Sequence, residues 1–260
     1  MKITVLGARG SMPAEGRDFL EYGGATSCVL VETDTEAIYL DAGSGIVHTP
    51  DIGDRNISVL LTHPHLDHLL GMPFFPYLSE KNRKVDLYAR TIPGMTAGEQ
   101  MDRLYSAPLW PVKMGEYASD LVYHDIVGGF DIGNVCVGIM DSVHPGGGLV
   151  YRLSCEGHSV VYATDYEYRD DSIDALISFC EGCDLLFFDA QYTDEEAASR
   201  KGYGHSTAAQ GLKVMAKSGA GRICFVHHDP GHDDQMLRKM EEAVKSDSVS
   251  FARQGDVFSL

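Results

Sequence analysis

The chain has 260 residues, 44% of them hydrophobic and 23% charged, which are the proportions of a soluble globular protein long enough for a substantial core. Its 38 acidic residues against 21 basic ones give a net charge of −17, and no Lys/Arg cluster marks a phosphate track. Such a surface repels polyanions and argues against a long nucleic acid as partner. No apolar run approaches the ~20 residues of a membrane span, so no membrane partner is expected. Met1–Gly7 runs straight into a strand without a signal-peptide layout, which makes the cytoplasm the expected location.

Residues 2–6 and 28–32 have the apolar character of strands. Between them, Gly7-Ala-Arg-Gly-Ser-Met-Pro13 and Tyr22-Gly-Gly-Ala-Thr-Ser-Cys28 form a glycine-rich region where backbone can approach a ligand closely. No helical pattern follows these glycines, so they are not a nucleotide-binding fingerprint. Ala37–Leu40 is a further strand, closed by Asp41-Ala-Gly43. The β-branched run Ile57–Leu61 reads as a buried strand and ends in four potential metal ligands, His63, His65, Asp67 and His68. Pro64 keeps His63 extended. Residues two apart on an extended chain point the same way, so His63 and His65 can grip one ion. If the chain then turns, Asp67 and His68 can hold a second. Two divalent ions about 3.5–4 Å apart suit hydrolysis, because they pin a hydroxide and clamp a substrate oxygen.

Leu69–Pro76 predicts a helix interrupted by Pro73 and Pro76, and Val85–Ala89 a strand. The stretch 91–123 has no clean period and is either a cap or rim over the site or an ordinary packing segment. Val135–Met140 is a strand leading to His144 beside three glycines, a place suited to a ligand. Val150–Leu153 and Ser159–Ala163 predict a hairpin that delivers Asp165, whose carboxylate is costly to bury unless paired or metal-bound. Ile173–Phe179 suits a helix and Asp184–Phe188 a buried strand ending in Asp189. Thr207 and Gln210 match a capping box for a helix over 208–218, with Gly219 placed to end it. His205 therefore stands at a helix N-terminus, where backbone dipoles favour an anion. Arg222–Val226 is the last buried strand, and one of His227, His228 and His232 should be a ligand; His227 sits at the strand tip, and His228 would face the other way. Residues 234–246 form a closing helix with Leu237, Met240 and Val244 inward. The six cysteines read as reduced core residues, and Cys180-Glu-Gly-Cys183 lacks a second pair to complete a zinc site.

His63-Pro-His65-Leu-Asp67-His68 resembles the HxHxDH signature of the metallo-β-lactamase superfamily, and the likeness runs across nearly the whole chain. It implies an α/β (α+β) fold, a four-layer αββα sandwich in one domain spanning 1–260, with the site along the sheet edge. It also implies that His144 completes the first metal site, that Asp165 bridges both ions, that His227 is the closing ligand, and that Asp41 braces a ligand histidine from behind. Metal one would then take His63, His65, His144 and Asp165, and metal two Asp67, His68, Asp165 and His227. Nitrogen and carboxylate donors without thiolate suit zinc or manganese. A water shared between the ions becomes the nucleophile, and Asp67 can aim it.

Gly204-His-Ser-Thr207 resembles the histidine motif of the phosphodiesterase branch, which includes transfer-RNA 3′-processing endonucleases and the cyclic phosphodiesterases of phosphonate breakdown. The resemblance gives His205 the task of contacting the scissile phosphate and helping the leaving oxygen depart. The tRNA enzymes carry a long arm between their third and fourth ligand motifs; here only 20 residues separate His144 from Asp165, enough for a hairpin alone. The cysteine-rich zinc site of the phosphonate enzymes is missing too, with Cys28 alone in that region. The expected activity is thus a metal-dependent phosphodiesterase on a small or cyclic phosphodiester. A nuclease of the tRNA-processing kind and a metal-dependent carboxylic ester or lactone hydrolase are the alternatives. The sequence leaves a homodimer possible.

Overall fold

The computed structural model describes residues 1–260 and contains two seven-stranded sheets with helices on their outer faces. In chain order the first sheet collects β1 (Lys2–Gly7), β2 (Cys28–Glu32), β3 (Glu36–Leu40), β4 (Asn56–Leu60), β5 (Lys84–Arg90) and, after helix α1 (Ala97–Leu104), β6 (Asp120–Ile126). The second collects β7 (Phe130–Ile132), β8 (Val135–Asp141), β9 (Leu149–Cys155), β10 (His158–Ala163), β11 (Leu185–Asp189), β12 (Arg222–Val226) and β13 (Val249–Phe251). Between these strands lie α2 (Ile173–Phe179), α3 (Asp194–Ser199), α4 (Ala208–Ser218) and α5 (Asp234–Val244). A last strand, β14 (Val257–Ser259), crosses back to pair with β1, so the sheets are not simply an N-terminal and a C-terminal half.

The sheets repeat one pairing pattern. Across β14-β1-β2-β3 and across β7-β8-β9-β10 the neighbours are antiparallel. From β3 to β6, and from β10 to β13, they are parallel. Strands buried on both faces explain the unbroken apolar runs, because each must satisfy two cores. Along β4 and its neighbours, Ile38, Leu40 and Leu60 face the second sheet and meet Tyr151, Leu153, Tyr162 and Phe187. Tyr39, Ile57 and Val59 point outward under a layer that includes Met72, Phe75 and Met101. Val161, Phe188 and Phe225 point outward from the second sheet, beneath Leu176 of α2, Val214 of α4 and Leu237 of α5.

α4 starts and stops where its sequence dictates. Thr207 Oγ1 accepts from the Gln210 N–H while the Gln210 side chain accepts from Thr207 N, and Gly219 closes the helix in the left-handed conformation. The helix expected over Leu69–Pro76 does not form. Pro73 and Pro76 withdraw the N–H groups a continuous helix would use, and two short 3-10 turns, Met72–Phe74 and Pro76–Ser79, take its place after an earlier one over Leu66–His68. Within 91–123, α1 begins with a Thr96/Glu99 capping box, and Met101, Tyr105 and Met114 are buried against the first sheet. At its start, Ile92, Pro93 and Gln100 line a cavity of about 130 Å³ together with His63 and Pro64. Cys180 and Cys183 are buried free thiols, both raised above the usual thiol range by burial. No helix is long and apolar enough to cross a membrane.

Candidate metal centre

Six strands deliver polar side chains at their carboxyl ends, all toward one edge of the sandwich: Asp41 after β3, His63 after β4, His144 after β8, Asp165 after β10, Asp189 at the tip of β11 and His227 after β12. Asp41, Asp165 and His227 leave their strands with φ of 64°, 51° and 63°, a region costly for residues other than glycine. Each sharp exit turns a side chain inward over the sheet edge; strain of this kind persists where the surroundings enforce it.

The seven expected ligands converge as two adjoining groups. His63 and His144 present Nε2 at 3.7 and 3.8 Å from Asp165 Oδ1, and His65 Nδ1 lies 3.3 Å from His144 Nε2. On the other side, His68 Nε2 and His227 Nε2 each lie 3.2 Å from Asp165 Oδ2. Asp67 Oδ2 stands 3.3 Å from His68 Nε2 and 3.2 Å from His227 Nε2. Asp165 thus turns one oxygen to each group.

Hydrogen bonds behind the cluster fix the imidazole tautomers. His68 Nδ1 donates to Asp41 Oδ2 at 2.7 Å, and Asp41 also accepts from the backbone N–H and hydroxyl of Thr62. His63 Nδ1 donates to Thr62 Oγ1 (3.0 Å), His144 Nδ1 to the Gly204 carbonyl (3.2 Å), and His227 Nδ1 to Gln191 Oε1 (3.0 Å). Every one of these bonds holds the Nδ1 proton behind the cluster and turns Nε2 inward, the arrangement that outer partners impose on metal-ligating histidines. Gly204 has φ 92°, and a Cβ there would fall 2.0 Å from His144 Nδ1. Gly10 lies flat against His227; a Cβ would fall 2.3 Å from its Nδ1.

The residues present fit bound cations. His63 Nε2 and His68 Nε2 are buried without any hydrogen-bond partner, which is costly for a polar atom lacking a ligand. The charge balance agrees. Burial would depress His68 and His227, yet Asp165 foremost, with Asp41 and Asp67 around His68, raises His68 well above the ordinary histidine range. His227 is raised to about 9, burial being outweighed by Asp165 and Asp67. The carboxylates therefore draw positive charge into the centre. His63, removed from water and beside His68, is instead held well below the usual value and stays neutral.

His205 stands beside the cluster, its ring stacked on His227 at 4.7 Å between centroids. Its Nδ1 donates to Asp189 Oδ2 at 2.8 Å. It lines a cavity of about 380 Å³ together with Ser11, His65, Asp67, Asp165 and His227. His228 and His232 do not join the centre. His228 Nε2 donates to the Ala252 carbonyl at 2.9 Å and its ring stacks on Phe251, while His232 Nε2 pairs with Glu196 at 3.1 Å. Strand alternation has ended by this point: His227 takes φ 63°, and that reversal turns His228 toward Phe251 and Tyr22 in the outer core.

Asp189 was legible only as a strand end. It closes a buried apolar strand as Asp41 and Asp165 follow theirs, and it accepts from Asp165 N and His205 Nδ1 on one oxygen and from Ser206 N and Gln191 N on the other. Thr62, Gln191 and Ser11 belong to no pattern a single sequence displays.

A two-sheet sandwich with paired histidine and carboxylate groups at the carboxyl ends of its strands defines the metallo-β-lactamase architecture. The chain belongs to the β-lactamase superfamily: the family described as Beta-lactamase superfamily domain matches residues 36–228. Ribonuclease Z of Halobacterium salinarum is 25% identical over 279 aligned positions, covering 87% of this chain and 86% of that protein. Among solved structures, the metallo-β-lactamase fold protein YhfI from Bacillus subtilis superposes with a TM-score of 0.74 at 22% identity, 99% of each chain being covered. A diphosphatase from the PhnP family gives 0.75 at 18% identity, over 100% of this chain and 97% of its own. The superfamily fold implies divalent metal ions, and with these relatives it marks the chain as a metal-dependent hydrolase.

Proposed function

We propose that the chain is a dinuclear phosphodiesterase acting on a small or cyclic phosphodiester. His63, His65, His144 and Asp165 would hold one divalent ion, zinc or manganese, and Asp67, His68, Asp165 and His227 the other. When bound, the ions supply Lewis acidity and lower the pKa of water. Asp67 accepts a hydrogen bond from the attacking water and orients it. His205 keeps its Nδ1 proton on Asp189, so Nε2 is the atom that serves the substrate. There it donates to the phosphoryl oxygen and then gives its proton to the departing oxygen.

The observation that carries this reading is the His205–Asp189 pair beside the ligand cluster, since an ester or lactone hydrolase needs no imidazole at that place. Two features favour a small substrate. β9 and β10 join by a tight antiparallel turn, so no arm projects between His144 and Asp165, and the net charge is −17. The relatives named ribonuclease Z support a nuclease on single-stranded ends as the second reading.

Turnover of bis-p-nitrophenyl phosphate and 2′,3′-cyclic nucleotides with Zn²⁺ or Mn²⁺ tests the proposal. His205→Ala should lower kcat by about 10²–10⁴ with metal content unchanged. Full activity in that variant removes the assignment of His205. Preference for longer substrates with a steep salt dependence would favour the nuclease, and turnover confined to carboxylic esters would exclude both.

A further inference from the structure

The loop between β1 and β2 presses on the metal centre, and one of its side chains has no partner for its proton. Arg9 is fully buried and anchors the loop: Nε donates to the Gly23 carbonyl at 2.8 Å and Nη1 to the His232 carbonyl at 2.6 Å. Gly10 N donates to the His228 carbonyl at 2.9 Å. Pinned on both sides, the next residue, Ser11, takes φ 62°, a conformation that a serine holds only where its surroundings impose it. The turn points the Ser11 N–H at Asp67 Oδ2 (2.7 Å) and places the side chain on the wall of the cavity shared by Asp67, Asp165, His205 and His227.

A polarised chain of hydrogen bonds ends on that side chain. His227 Nδ1 donates to Gln191 Oε1, which leaves the Gln191 amide nitrogen to donate to Ser11 Oγ at 3.2 Å. Oγ is therefore an acceptor within the protein, and its own O–H remains to be donated. The neighbouring carboxylates do not take it; the only Ser11 group bonded to Asp67 is the backbone N–H. Ser11 is exposed on that wall, so its O–H faces the solvent of the cavity and is free to turn to the acceptor oxygens of an anionic substrate.

We propose that Ser11 is a substrate-binding residue whose hydroxyl donates to a non-bridging oxygen of the scissile phosphoryl group. This rests on the phosphodiester reading of the same site. A hydrogen bond to a charged oxygen is worth roughly ten- to a hundredfold in binding. Ser11→Ala removes the hydroxyl and keeps the N–H to Asp67; Ser11→Gly does the same and relaxes the backbone. In the metal-loaded enzyme, both should lower kcat/KM for bis-p-nitrophenyl phosphate by roughly ten- to a hundredfold. Both should weaken binding of inorganic phosphate, measured by calorimetry, to a similar degree. Metal retained after dialysis against a chelator should stay at the wild-type level in both, and the melting temperature should fall in neither.

Wild-type behaviour of Ser11→Gly beside a damaged Ser11→Ala would trace the loss to backbone strain and overturn the proposal. Loss of metal in both variants would overturn it in favour of a role confined to supporting His227. A wild-type enzyme that cleaves diesters, with both variants within twofold of it, defeats the Ser11 assignment alone. A wild-type enzyme that cleaves no phosphodiester and binds no phosphate defeats the reading beneath it as well.

Discussion

Asp189 Oδ2 accepts from His205 Nδ1 at 2.8 Å and from the backbone N–H of Asp165 at 3.0 Å, so one carboxylate oxygen ties the imidazole facing the cavity to the residue placed between the two ligand groups. The other oxygen is filled by Ser206 N and Gln191 N. Asp189→Asn replaces one doubly accepting oxygen with an NH2 that cannot accept, leaving one pair of donors unmatched in either orientation. The expected result is a fall in kcat of about 10²-fold or more and a stability loss of about 1–3 kcal/mol. Steady-state kinetics beside denaturant melts check it; unchanged kcat would show that His205 needs no anchor.

Stripping the metal should loosen the protein. The buried Nε2 atoms of His63 and His68 lack partners, and Asp67 and Asp165 crowd the same space. Divalent cations binding only the folded state stabilise it by mass action, about 2.7 kcal/mol at a hundredfold excess over Kd. Dialysed protein titrated with Zn²⁺ or Mn²⁺ should therefore melt several degrees higher. A melting temperature indifferent to chelator and metal would mean that these groups coordinate nothing.

Neighbouring histidines at 227 and 228 should fail in opposite ways. His227→Ala should cost bound metal, read by elemental analysis, with the second ion lost first. His228→Ala empties a packed position beside Phe251 and Tyr22 and orphans the Ala252 carbonyl, which should cost about 2–4 kcal/mol while metal content holds. Reversed phenotypes would exchange the two assignments.

Away from the site, Glu241 predicts an acid-sensitive contact. Burial raises its carboxyl, but hydrogen bonds from Arg253 and the Tyr22 hydroxyl outweigh that and hold it below the usual value of 4.5. The folded form binds its proton less readily than the unfolded chain, so the contribution is full above the ordinary carboxylate range and disappears as pH falls through the lowered value. Glu241→Gln should be less stable than wild type by about 1 kcal/mol at pH 7, with the gap closing in acid. A gap that is constant from pH 7 to pH 3 would assign the effect to packing.

Much of the fold was legible because the central strands serve two cores at once and so leave runs such as Ile57–Leu61 and Arg222–Val226. Polar residues directly after such runs stand out for the same reason, as His63, Asp165 and His227 do, while the metal-holding roles expected of them and of His144 came from the resemblance to the metallo-β-lactamase signature. Strands that serve one core, or are only three residues long, leave no such trace: β6 begins inside the aperiodic stretch 91–123, and β7, β13 and β14 are three residues each. The return of β14 to β1 is a long-range pairing that local pattern does not encode. Asp189 ends a strand of the same kind, but its bonds to Asp165, Gln191, His205 and Ser206 join segments that local pattern does not connect. Ser11 and Gln191 owe their places to a clamped loop rather than to periodicity, and that is visible only in three dimensions.

The proposed ligand set draws on both sheets. His63, His65, Asp67 and His68 hang from β4, and His144, Asp165 and His227 from β8, β10 and β12. Either ion would then be a rivet through a seam, joining two layers that otherwise meet through oily side chains and a few hydrogen bonds such as that from the Tyr151 hydroxyl to the Leu61 carbonyl. Scarcity of metal would be felt first as slippage between the layers, with each one still intact, and the mouth of the cavity would lose its shape before any strand unravelled.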